Sequence, residues 1–133
     1  MGHPWLVAGL GCRRGCPVEV LQALLEQALA QVGATLCDVQ GIASLDRKCG
    51  EPGLVALAVS QGLPLSGYSA SALAPYEPLL SHRSWVSLQH TGCLGLAESA
   101  ALAHCEALSQ RTPKLYLARL CASHATVALA IAT

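Results

Sequence analysis

The segment Leu6-Val7-Ala8-Gly9-Leu10-Gly11-Cys12-Arg13-Arg14-Gly15-Cys16-Pro17 decides how this chain is read. An apolar run of strand length leads into a glycine-rich turn carrying two arginines, and a long periodic segment follows Pro17. At such a strand–turn–helix junction the first-turn N–H groups have no partner inside the helix and carry partial positive charge. Gly11 and Gly15 allow a sharp turn and a close backbone approach to a ligand. Arg13 and Arg14 add guanidinium forks matched to carboxylate or phosphate. The junction reads as an anion-binding corner. The same residues also suit a plain strand–helix connection with solvated arginines, and spacing alone does not separate the two. The pattern Gly-x-Gly-x-x-x-Gly is one residue longer than the dinucleotide fingerprint, and no Gly-Lys-Ser/Thr follows, which disfavours nucleotide loops.

Outward from this corner the chain alternates strand and helix patterns. Val18, Leu21, Leu24, Leu25, Ala28, Leu29 and Val32 recur at helical spacing, with Pro17 at the start and Gly33 at the stop. Val39–Leu45 reads as a second strand, residues 46–53 as a polar loop, and Leu54–Ser60 as a short helix begun near Glu51-Pro52 and stopped by Gly62. Leu63–Tyr68 reads as a third strand, kept short or at an edge by Pro64. Ser69 suits an N-cap for one or two helical turns before Pro75. A loop with a short strand at Trp85–Leu88 follows, then a second glycine turn at residues 91–95. An alanine-rich helix is expected over Leu96–Leu108. Lys114–Leu120 and Ala125–Ile131 form an antiparallel hairpin. The expected architecture is a single α/β domain over residues 1–133, a three-layer α/β/α sandwich around a mixed sheet with a C-terminal hairpin.

Composition narrows the function. The 133 residues are 53% hydrophobic and only 12% charged, which excludes a disordered chain. A formal net charge of zero argues against nucleic acid as partner. No apolar run reaches the ~18 residues of a membrane span, and no secretory signal pattern opens the chain. A cytoplasmic location is the resulting expectation. The seven cysteines are odd in number and scattered, as expected of reduced, mostly structural thiols. Cys12 and Cys16 are four apart, which fits some zinc ligand pairs, but no second tightly spaced pair follows and the histidines show no metal-ligand spacing, so neither a metal nor a cofactor is expected. Cys12 is set apart, because a helix N-terminus and two arginines should lower its thiol pKa.

Ligands of open α/β sheets collect at the carboxyl ends of strands. Three segments leave the strands there, residues 9–16, 44–53 and 90–98. Arg13, Arg14, Asp46, Lys48, Glu51, Glu98 and His90 would then share one site. Asp46 suits orienting Lys48 or Arg13, acting as a base, or an ordinary loop cap. Glu98 suits a general acid or base if buried, or a first-turn partner of the helix dipole. His104, on the alanine-rich helix, reads as a packing or surface residue.

These motifs together resemble the family of CobE and the C-terminal domain of CbiG, proteins of cobalamin biosynthesis. The residues that carry the resemblance are Gly9-Leu10-Gly11-Cys12-Arg13-Arg14-Gly15, Ala43-Ser44-Leu45-Asp46-Arg47-Lys48 and Glu51-Pro52-Gly53-Leu54. Pro64-Leu65, Tyr68-Ser69-Ala70, Ala97-Glu98-Ser99-Ala100-Ala101-Leu102 and Thr126–Ala130 extend it over nearly the whole chain. Cys16 stands where the family often has Ser or Thr, Cys49 where a basic residue is common, and near Arg119 the family usually shows lysines where this tail is less basic. The resemblance implies a polycarboxylated corrin or precorrin intermediate as partner, with other enzymes of that pathway as further candidates. Its CbiG side implies hydrolysis of a precorrin-5A-type lactone with release of acetaldehyde. Its CobE side also allows a non-catalytic carrier of an intermediate such as hydrogenobyrinic acid. On this reading Gly11, Cys12, Arg13, Arg14, Gly15, Lys48 and Glu51 bind substrate, and Glu98 and Asp46 are the catalytic candidates.

Overall fold

The computed structural model describes residues 4–81, 95–122 and 124–133. Five strands form one mixed sheet: β1 (Trp5–Cys12), β2 (Gly41–Leu45), β3 (Leu65–Tyr68), β4 (Lys114–Cys121) and β5 (Ala125–Ala132). Their order across the sheet is β3-β2-β1-β5-β4. β1 pairs in parallel with β2, and β2 with β3. β5 is antiparallel to both β1 and β4. Among the described residues the α-helices are α1 (Val18–Gln31), α2 (Pro52–Gln61), α3 (Ala70–Leu73) and α4 (Leu96–Ser109). α1 and α2 cover one face, and α3 and α4 the other. The expected three-layer sandwich is thus present. The proposed strand at Trp85–Leu88, His90 and the turn at residues 91–94 lie outside the described residues.

Alternation along β1 explains the two cores. Leu6, Ala8, Leu10 and Cys12 face α1 and α2, where Leu21, Leu25, Leu29, Leu54 and Leu57 meet them. Val7, on the opposite face, packs with Ala101, Leu102 and Cys105 of α4. Each fully buried leucine contributes about 1.5–3 kcal/mol relative to an exposed one, so the α1/α2 side carries most of the apolar stabilisation. The α4 side gains instead from close approach. A Cβ on Gly9 would overlap the Ala97 carbonyl oxygen and lie 2.6 Å from the Ala101 nitrogen. One on Gly41 would lie 2.7 Å from His104 Nε2. The alanines of α4 and the glycines of β1 and β2 are two halves of one contact.

The helix boundaries follow local chemistry. Pro17 is the N-cap of α1, and Gly33 at φ 71° follows its end. Pro52 opens α2, and Gly62 at φ 64° closes it. Ser69 Oγ accepts the Ala72 N–H at 3.1 Å, the cap expected for α3. β3 is a four-residue edge strand, as Pro64 required. No helix of the described residues is long and apolar enough to cross a membrane.

Candidate anion-binding site

β1 and β2 run in the same direction, so the loops that leave them share the carboxyl edge of the sheet. The structure fastens the two loops together. The Gly15 N–H donates to Glu51 Oε1 at 2.8 Å. Gly53 packs so closely on the Cys16 carbonyl that a Cβ there would overlap its oxygen. Gly15, at φ 79° with open space around it, is the turning residue the corner needs. Arg13 holds the turn from the other side, its N–H donating to the His124 carbonyl at 2.9 Å. Arg13, Arg14 and Gly15 are exposed at the tip, and Lys48 and Glu51 are half-buried behind them.

Gly11 serves differently from its reading as a turn residue. It lies inside β1, and the place of its missing Cβ faces Thr126 Oγ1 at 3.0 Å and Leu96 Cδ2 at 3.3 Å. Its bare face admits α4 rather than a ligand.

Cys12 requires a correction. Burial pushes its thiol up to about 11, with Cys16 and Glu51 adding to the rise and only Lys48 opposing it. Desolvation outweighs the cations because Cys12 is the last core residue of β1, while both arginines extend beyond it into solvent. The thiol is a buried apolar group at pH 7.

Asp46 is exposed where β2 ends, and its Oδ1 lies against Gly67 of β3. Its carbonyl accepts the Cys49 N–H at 3.1 Å, closing a single 3₁₀ turn over Asp46–Lys48. Glu98 is only 1% exposed. Its carboxylate accepts the Ser81 N–H at 2.9 Å, the Ser81 hydroxyl, and the Arg119 N–H at 2.9 Å. The sequence marks Arg119 only as part of a tail less basic than the family's, not as a site residue. The available signal was a charge inside an otherwise apolar strand pattern.

A separate cavity of about 390 Å³ opens beside the C-terminal half of α4, among Tyr68, Tyr76, Ala103 and Glu106. The Tyr76 hydroxyl donates to Glu106 Oε1, and burial together with that carboxylate pushes its pKa up to about 12. Cys105, on the same half of the helix, reaches the Trp5 carbonyl at the start of β1. The lining joins the C-terminal half of α4 to Tyr68 at the end of β3, so the cavity lies on the α4 face of the sheet. Beneath it His104 is buried, with Nδ1 at 2.8 Å from the Tyr68 hydroxyl, the packing role expected of it.

The fold and this edge define a class: a small α/β protein whose parallel strands deliver cations and a helix start to one rim of the sheet. Residues 6–130 match the family described as cobalamin synthesis G C-terminus. The chain is 38% identical over 125 residues to Protein CobE of a Sinorhizobium species, covering 94% of this chain and 79% of that protein. It is 38% identical over 72 residues to cobalt-precorrin-5A hydrolase of Salmonella typhimurium, which covers 54% of this chain but only 20% of the hydrolase. The crystal structure of CobE, a protein from the cobalamin (vitamin B12) biosynthetic pathway, superposes with a TM-score of 0.94 at 42% identity, covering 98% of this chain and 92% of that one. Cobalamin biosynthesis protein chiG from Agrobacterium tumefaciens superposes with a TM-score of 0.70 at 30% identity, covering 94% and 96%. The chain belongs to the cobalamin synthesis G C-terminus family.

Proposed function

We propose that this protein binds a polycarboxylated corrin precursor along the carboxyl edge of its sheet. The observation that carries the reading is the fastening of the β1 and β2 loops through Gly15 and Glu51, which gathers Arg13, Arg14 and Lys48 beside the start of α1. A corrin precursor is a broad apolar disc rimmed by acetate and propionate groups. Guanidinium forks and first-turn N–H groups recognise such a rim. Each charge-assisted contact is worth about 1.5–3 kcal/mol when shielded from water.

The likeness to cobalt-precorrin-5A hydrolases supports a second reading, lactone hydrolysis. Water would add to the lactone carbonyl, and the lactone C–O bond would break to give a carboxylate and an alcohol. The freed carbinol carbon, C20 with its methyl group, would then lose its hydroxyl proton and leave as acetaldehyde as its C–C bond to the macrocycle breaks, the electron pair staying on the macrocycle. Asp46, exposed at the end of β2, is the candidate to take the proton from water. Arg13 and the loop N–H groups are the candidates to stabilise the oxyanion. Glu98, the other acid–base candidate, has its oxygens engaged by Ser81 and Arg119 and suits a supporting part.

Titration of the purified chain with hydrogenobyrinic acid and with a precorrin-5 lactone, followed by corrin absorbance and acetaldehyde assay, tests both readings. Saturable binding supports the first, and acetaldehyde release adds the second. R13A and R14A should each weaken binding about tenfold or more while leaving the melting temperature nearly unchanged. No spectral change with either compound removes the corrin reading altogether.

A further inference from the structure

We propose that Arg119 is a second carboxylate-binding cation of this edge, and that buried Glu98 is the positioning residue that holds it there. The inference rests on the corrin-binding reading and adds to it a contact on the far side of the ligand. β4 and β1 are both antiparallel to β5, so they run in the same direction and end at the same edge. Thr126 pairs with Gly11 on one side and with Cys121 on the other. The end of β4 is therefore two strand spacings, about 10 Å, from the start of the arginine loop. A macrocycle with carboxylates around its rim can meet Arg13 and Arg119 at once, whereas a small anion cannot.

The backbone of β4 is interrupted where Arg119 stands. Pairing with β5 shifts between Leu117 and Leu120, a bulge that leaves Ala118 and Arg119 outside the paired register. Bulges re-aim side chains next to sites. The Arg119 N–H turns to Glu98 Oε2 at 2.9 Å. Glu98 occupies the first turn of α4, whose start is seated on Gly9 and Gly11 of β1. One buried carboxylate thus links the helix, Ser81 and the bulged strand. A buried carboxylate is costly unless hydrogen-bonded, so the bulge and the carboxylate hold each other in place. Arg119 as a residue is half-buried.

The experiment is a titration of the full chain with hydrogenobyrinic acid and with the same macrocycle carrying primary amides in place of its carboxylates. R119Q should weaken binding of the acid about tenfold or more and leave binding of the amide unchanged, with R119K restoring part of the loss. E98Q should show the same selective loss, and the E98Q/R119Q double variant should lose no more than R119Q alone. The Arg119 amide of the wild-type chain should also exchange with solvent slowly, a readout that needs no variant to fold. Wild-type binding with R119Q unaffected would overturn this inference alone. Multiplying losses in the double variant, or a fast-exchanging Arg119 amide, would deny Glu98 its positioning role. Failure of the wild-type chain to bind the acid would remove the corrin reading first and this inference with it.

Discussion

The Gly15 N–H donates to the Glu51 carboxylate at 2.8 Å, so the arginine turn after β1 hangs on the N-cap of α2. Two effects of Glu51 on an anionic ligand oppose each other. Its hydrogen bond orders the loop that presents Arg13 and Arg14, while its negative charge repels a carboxylate. Glu51→Gln keeps an acceptor oxygen and removes the charge; Glu51→Ala removes both. We expect E51Q to bind hydrogenobyrinic acid at least as tightly as the wild type, and E51A to bind it more weakly than E51Q. Stability should fall by about 1 kcal/mol or less in E51A, because the bond is exposed. Equal affinities for the two variants would show that loop order contributes nothing.

Thiol chemistry should follow burial rather than nearby positive charge. Cys37 and Cys121 are exposed, while Cys12, Cys16 and Cys105 are buried. Burial holds the Cys12 and Cys105 thiols at about 11, so the thiolate fraction at pH 8 is small. Timed alkylation of the native protein, mapped by mass spectrometry, should label Cys37 and Cys121 first among the cysteines of the described residues. Cys12 and Cys105 should react only after denaturation. Rapid labelling of Cys12 at pH 7 would mean that the cations of the loop do govern it.

The layer order was legible in the sequence because β1 and α1 carry unbroken patterns of different period, and because Pro52, Gly62, Pro64 and Ser69 act through local chemistry that needs no partner. The meaning of Gly9, Gly11 and Gly41 was not legible. A glycine next to a turn looks like a turn residue, and only the three-dimensional seat of α4 shows that these positions admit a helix. Cys12 was misread for a similar reason. Neighbouring arginines are visible in the sequence, whereas the desolvation that outweighs them depends on what packs over the thiol. Arg119 escaped because its part depends on a bulge, and a break in strand register leaves no mark in residue spacing.

His104 should make stability depend on pH. Burial lowers its pKa below the ordinary 6.5, so the unfolded chain binds more protons than the folded one below that pH. Its contribution is fully present above about pH 7. It declines as the pH falls through 6.5, and levels off below the depressed folded value. H104Q removes this titration. Chemical denaturation at pH 7.5, 6.5 and 5.5 should show the wild type losing more stability over that range than H104Q. At pH 7.5 the variant should be the less stable of the two, because the contact between Nδ1 and the Tyr68 hydroxyl is disturbed. Parallel pH profiles would place the proton elsewhere.

Gly9 offers the sharpest test of how α4 is seated. A methyl group there would overlap the Ala97 carbonyl oxygen and press on the Ala101 nitrogen. Both are main-chain atoms of a helix and cannot swing aside, so α4 must lift or tilt away from β1. G9A should therefore cost about 2–3 kcal/mol, at the upper end of ordinary overpacking. The same substitution at Gly15 meets open space but sits at φ 79°, so G15A pays through backbone strain alone, about 1 kcal/mol. The two variants should also part in function. G9A displaces the first turn of α4, and with it the Glu98 contact to Arg119, from a distance. G15A alters the arginine turn directly. Denaturant midpoints that rank G15A as the more damaging change would contradict the close helix–strand contact on which this face of the sheet depends.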